Sequence, residues 1–256
     1  MTTQLKIITD TVLKQKPVQS STLQDPEKQS VKAGTVFNIK SFLPTGDHIK
    51  VTLADQSFKG FNTWYVYQRN AAIINSNKII FPPAVKLSVP YYDQLDNSDD
   101  PYGTCNVTSL AMVLSYFGAK RQHPDIRFAD ELDQYCDAQG LDRHEPTDLA
   151  KVVKAYGCVD KFSKTASFDE VQDWLICGNP VITHGYFTSG GHIVCLIGYN
   201  SDGFVVNDPY GEIMYNPFHS YYDIYASGAG LTYSYNMIYN TCCTGGEFWV
   251  HFVSKS

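Results

Sequence analysis

The sequence predicts an α+β protein in two parts: a small all-β barrel over residues 1–80, then helices packed on an antiparallel sheet over residues 81–256. Three observations predict it. Residues 5–75 break into short β-prone runs between turn residues, with no helical period. Residues 104–177 carry apolar side chains at helical spacing. From residue 181 the apolar runs shorten to strand length, so helices precede strands and a regular βαβ alternation is excluded.

In the first part Leu5–Thr9 and Thr11–Lys16 read as strands, followed by a polar stretch at Pro17–Ser30. Gly34–Leu43, His48–Ala54, Thr63–Tyr67 and Ala71–Ile74 read as further strands, with a turn at Pro44-Thr45-Gly46-Asp47. Many short strands in so short a stretch predict a small barrel. Residues 76–88, with Ser76-Asn77-Lys78 and Pro82-Pro83, read as a linker.

In the second part Val107, Leu110, Ala111 and Leu114 fall on one helical face of Thr104–Phe117, and Gly118 stops the helix. Pro124–Ala138 and Thr147–Tyr156 read as helices ended near Gly140 and Gly157. Ser167 with Glu170 forms a capping box for Phe168–Cys177. Val181–Tyr186, His192–Tyr199, Phe204–Asn207 and Glu247–Val253 read as strands. The tyrosine-rich segment Tyr210–Tyr239 reads as a long loop and strand, either a wall of a substrate groove or packing over the sheet.

Composition narrows the function. The 256 residues carry a net charge of −6 with no basic block, which speaks against nucleic-acid binding. No apolar run is long enough to span a membrane. Seven cysteines with no CxxC pair follow no disulfide framework and read as reduced thiols. The N-terminus has no signal-peptide pattern, so the expectation is synthesis in a cytoplasm without a leader. The 18 Tyr, 14 Phe and 3 Trp suit either half-buried strands or a polar ligand such as a peptide or sugar.

Cys105 stands at the first turn of the first helix of the second part, where a helix N-terminus lowers a thiol pKa. His192 opens the strand HIVCLIGY, and Asp208 ends the next strand, FVVNDP, after the turn Asn200-Ser201-Asp202-Gly203. Antiparallel pairing brings the two together. A five-residue loop sets them directly opposite, whereas a two-residue turn leaves them three positions apart. Direct pairing puts Asp208 on the His192 face and turns Asn207 away, and a bulge would reverse that choice. A carboxylate behind an imidazole, and an imidazole beside a thiol, make a nucleophilic triad in the order Cys, His, Asp of papain-like folds.

The run SVPYYDQLDNSDDPYGTCNVTSLAMVLSYFG resembles the nucleophile region of the C39-like peptidases, relatives of the enzymes that cut double-glycine leaders. GGHIVCLIGYNSDGFVVNDPYGE resembles their His and Asp region. The resemblance covers about residues 87–253 and implies a papain-like cysteine peptidase with Cys105 as nucleophile, His192 as base and Asp208 as its partner. The first part resembles bacterial SH3-like domains, which in such pairings bind the cell wall. Asn106 replaces the Gly that often follows the nucleophile, and Gln94 is the candidate oxyanion donor alongside the Cys105 backbone N–H.

The implied function is a cysteine peptidase or amidase acting on peptide or peptidoglycan, foremost an endolysin or wall hydrolase of phage or bacterial origin. Three alternatives remain: an intracellular peptide-processing peptidase, acyl transfer on the same triad, and a binding module without catalysis. No cofactor is expected. Asp93, Asp96, Asn97, Asp99 and Asp100 raise the possibility of calcium, but the loop lacks EF-hand spacing and no metal is expected. The other histidines form no HExxH, though His184 precedes a Gly-Tyr pair on the strand before His192 and is a candidate cleft residue.

Overall fold

The computed structural model describes residues 2–256. They divide into two compact units: one ends at Ala84 and takes in Ile176–Gly178, and the other holds Val85–Leu175 and Asn179–Ser256.

The first unit contains β1 (Thr3–Ile7), β2 (Thr11–Lys14), β3 (Lys28–Val31), β4 (Val36–Thr45), β5 (His48–Leu53), β6 (Thr63–Tyr67), β7 (Ala71–Asn75) and β8 (Lys78–Phe81). Alternation drives the packing: Ile49, Val51 and Leu53 of β5 point inward with Leu5, Trp64 and Val66. The strands run β3-β2-β6-β5-β4-β1-β7-β8 in one antiparallel path, and no pairing joins β3 to β8. The expected small SH3-like barrel is thus not seen to close: among the described residues the strand path stays open at β3 and β8. β3 is short and polar, and β8 runs into Pro82-Pro83, which lack the N–H groups a further ladder needs. The expected linker is in part a hairpin: Asn75 pairs with Lys78, and Ser76 and Asn77 both take positive φ, as a tight primed turn requires.

The second unit opens with β9 (Val85–Lys86) and three helices, α1 (Cys105–Tyr116), α2 (Phe128–Gln139) and α3 (Pro146–Ala155). Next come β10 (Cys158–Ser163), α4 (Phe168–Ile176), β11 (Val181–Gly185), β12 (His192–Tyr199) and β13 (Gly203–Asn207). The chain continues with β14 (Glu212–Met214), β15 (Tyr221–Asp223), β16 (Leu231–Ser234), α5 (Tyr235–Cys242) and β17 (Val250–Lys255). The main sheet runs β10-β17-β11-β12-β13-β16, antiparallel throughout, with β9 also on β12 and β14–β15 as a separate hairpin. All eight residues of β12 are buried, which explains its unbroken apolar run. α1 is buried nearly all round, from Asn106 to Leu114. The expected α+β layering of helices on an antiparallel sheet is present. α5 lies where a loop and strand were expected; Ser234 caps it by accepting from Met237 N–H. Among the described residues no helix is long and apolar enough to cross a membrane.

Candidate active site

α1 begins at Cys105, so its half-buried thiol stands in the first turn, where unpaired N–H groups favour a thiolate. Ser109 Oγ donates to Ile193 O at 3.1 Å and ties this helix to the start of β12. There the thiol shares a hydrogen bond with His192 and accepts another from the Ile193 N–H. His192 Nε2 lies 2.7 Å from Asp208 Oδ1, which leaves Nδ1 for the sulfur. Burial pushes the thiol up, but the hydrogen bond and charge of His192 and the Ile193 N–H outweigh it and bring Cys105 below an ordinary thiol. Burial likewise opposes charge on His192, yet the Asp208 carboxylate and Cys105 raise it to about 10. A thiolate–imidazolium pair is the favoured form.

Asp208 reaches His192 by a route the sequence did not disclose. Asn200 N–H donates to Gly203 O at 2.9 Å, so Ser201-Asp202 is a two-residue turn, and Tyr199 pairs with Phe204. Continued unbroken, that register sets Asp208 opposite Cys195, three positions from His192 and on the other face. The register shifts between Leu196 and Gly198, so Leu196 pairs with Val206 and Cys195 with Asn207. The extra residue, Ile197, brings Asp208 level with Val194 and onto the His192 face. The sequence left the register open between direct pairing and a three-position offset, with a bulge reversing the choice made by direct pairing. Here the bulge makes the alignment, and Asn207 turns away to donate to Val89 O and Pro90 O and to accept from Gly230 N–H.

The Asp208 side chain is fully buried and accepts four hydrogen bonds. Beside His192, the Tyr210 N–H reaches Oδ1 at 2.9 Å, and the hydroxyls of Tyr222 and Tyr233 reach Oδ2 at 3.0 and 2.6 Å. Burial and the Asp208 charge push both tyrosines far up, so they remain neutral donors. The abundance of tyrosine in this segment was visible in the sequence, but nothing marked these two.

Gln94 lies in a 3-10 turn, Gln94–Asp96, and lines the same cleft as Cys105. Its Nε2 donates to Pro101 O at 2.9 Å, which uses one of the two amide hydrogens, and its buried Oε1 has no partner. Asn106 donates to Arg143 O and accepts from Val107 N–H. Carboxylates of the acidic loop are engaged by the protein: Asp93 accepts from Leu95 N–H, Asp96 pairs with Arg127, and Asp100 pairs with Arg143 at 2.7 Å. Among the described residues no group of three or more His, Cys, Asp or Glu is arranged to hold a metal.

Cys105, His192, Gln94, Asn106 and Tyr222 line a cleft of about 700 Å³. His184, Tyr186, Tyr210, Glu247 and Trp249 complete much of its wall, so His184 does line it. The buried thiols differ from Cys105, because burial pushes Cys136 up to about 11 and Cys242 to about 12.

The model of the Peptidase_C39 like family matches residues 86–233, more than half of the chain. A crystal structure from Bacillus anthracis, of a protein bearing the name C39-like peptidase, is similar at 20% identity with a TM-score of 0.40. That match covers 68% of this chain and 98% of the other. No curated protein matches the chain.

Proposed function

We propose a function from the premise that the chain belongs to the Peptidase_C39 like family: it is a cysteine peptidase or amidase whose catalytic groups are Cys105, His192 and Asp208, with Gln94 as an oxyanion donor. The observation that carries this reading is the hydrogen-bonded series from the Cys105 thiol through His192 to Asp208 at the wall of a large cleft.

The Cys105 thiolate attacks the carbonyl carbon and forms the C–S bond. The oxyanion is held by the Cys105 N–H and the second hydrogen of Gln94 Nε2. As the tetrahedral intermediate collapses, His192 gives its proton to the departing amine and a thioester remains. His192, now neutral, takes a proton from water, and the resulting hydroxide displaces the sulfur and releases the acid. Asp208 stays ionised, orients the imidazole and stabilises its cation. An amine in place of water would give transfer on the same groups.

For the substrate we read peptide bonds of the bacterial wall, with the β-rich first unit as a wall-binding tether that raises local concentration.

The test incubates peptidoglycan from several species, and separately a protein mixture, with wild type and with Cys105→Ala, and identifies new termini by mass spectrometry. New termini in peptidoglycan with wild type alone are expected. New termini only in proteins would move the substrate to a peptide-processing role. Identical products from wild type and Cys105→Ala would overturn the nucleophile assignment.

A further inference from the structure

A second imidazole network reaches the same cleft. His184 of β11 lies with its Nε2 3.0 Å from His251 Nε2, and His251 Nδ1 lies 2.6 Å from Asp160 Oδ2. The His184 and His251 rings stack at 5.2 Å between centroids. Asp160 and His251 are buried in the β10–β17 pair, so the network meets solvent only through His184 at the cleft wall. The triad does not use it.

The hydrogen bonding sets what the cleft meets. The Asp160 carboxylate takes the His251 Nδ1–H, so a neutral His251 offers a lone pair at Nε2. His184 then donates from Nε2 and keeps a lone pair at Nδ1, for which the described residues provide no partner. The neighbouring surface is also accepting. The His184 and Trp249 ring centroids lie 5.9 Å apart, and Trp249 Nε1 donates to Glu247 Oε2 at 2.7 Å, leaving Oε1 open. Neither Lys nor Arg lines the cleft among the described residues; Lys164 covers a face of Trp249 without lining it.

We propose that His184 and Glu247 form a subsite of this cleft for a protonated primary amine carried by the substrate, with His251 and Asp160 fixing the His184 imidazole as the acceptor. The inference rests on the peptide-cutting reading and adds the class of side chain or terminus that the cleft selects. An ammonium has three donors and no acceptor, which matches one imidazole lone pair and one carboxylate. Burial pushes His184 down to about 3, so it does not itself become a cation that repels the amine.

The test uses the full chain, labelled with 15N-histidine, and two probes that differ in the terminal ammonium, which the second lacks: N-acetyl-lysine amide and N-acetyl-norleucine amide. Protection of Cys105 from iodoacetamide and the 15N ring shifts of His184 are read together. The lysine probe at tens of millimolar should slow alkylation about 5-fold and hold His184 with its proton on Nε2. The norleucine probe should do neither. In Glu247→Gln, an exposed substitution, protection by the lysine probe should fall to about 2-fold or less. Equal protection by both probes, or no response of the His184 signals to the lysine probe, overturns the subsite. Neither readout needs turnover, so this failure is distinct from that of the peptidase reading, which falls if wild type and Cys105→Ala act alike on every substrate.

Discussion

Asp208 has no solvent access, and its four donors include two tyrosine hydroxyls, so its orientation is set from both sides before any substrate arrives. Asp208→Asn keeps the shape but can no longer hold the imidazolium, and its rate should fall about 10²–10⁴-fold. Asn207→Ala breaks contacts to Val89, Pro90 and Gly230. It should cost about 1–3 kcal/mol of stability but less activity than Asp208→Asn. Steady-state rates and urea midpoints on both variants check this, and the opposite order of activity would overturn the role of Asp208. The thiol makes a separate prediction. Cys105 is lowered by His192 whereas Cys136 and Cys242 are raised by burial. Iodoacetamide near pH 6 should therefore label Cys105 first, with the rate falling only as acid protonates the thiolate. Peptide mapping that found all seven cysteines labelled alike would refute the pairing.

Strand geometry decides whether those side chains meet. One inserted residue, Ile197, changes the parity of the β12–β13 pairing and so chooses Asp208 over Asn207 as the His192 partner. The segment after β13 is held equally closely. Asp208 N–H donates to Gly228 O at 2.9 Å, and a Cβ on Gly228 would sit 1.9 Å from Asp208 O. Gly228→Ala must push the Asp208 backbone away, and should cost about 1–3 kcal/mol and lower activity more than Tyr233→Phe, which removes a single donor. Thermal melts and rates of the two variants test the ranking. α5 escaped the sequence reading because Tyr235-Asn236-Met237-Ile238-Tyr239 has weak helical preference, and its cap at Ser234 becomes meaningful only once the preceding strand ends there.

Several groups of the second unit push its pH dependence in one direction. His192 is raised in the folded state, so its contribution to stability is full below its unfolded value near 6.5 and is lost as pH rises through about 10. Tyr222 and Tyr233 are raised by burial and by Asp208, so above pH 10 the unfolded chain releases protons that the folded chain keeps, which favours unfolding. The urea midpoint should therefore fall as pH rises above about 6.5, with a further fall above about pH 10 that is smaller in the Tyr222→Phe, Tyr233→Phe double variant. A midpoint that falls equally above pH 10 in wild type and the double variant would contradict the buried-tyrosine arrangement.

Local pattern was enough to place the α1 helix, to put Cys105 at its first turn and to bound the strand His192–Tyr199, because helical spacing, Gly stops and apolar runs are properties of neighbouring residues. It also brought His192 and the end of the next strand into one neighbourhood, since a short turn between strands leaves few choices. The side of the sheet on which Asp208 lies depended on a bulge that no local pattern signals. Tyr222 and Tyr233 reach Asp208 from 14 and 25 residues away, and the His184–His251–Asp160 network joins three strands up to 91 residues apart. Such contacts arise from register and packing between distant segments, and open edges rather than a closed barrel in the first unit have the same origin.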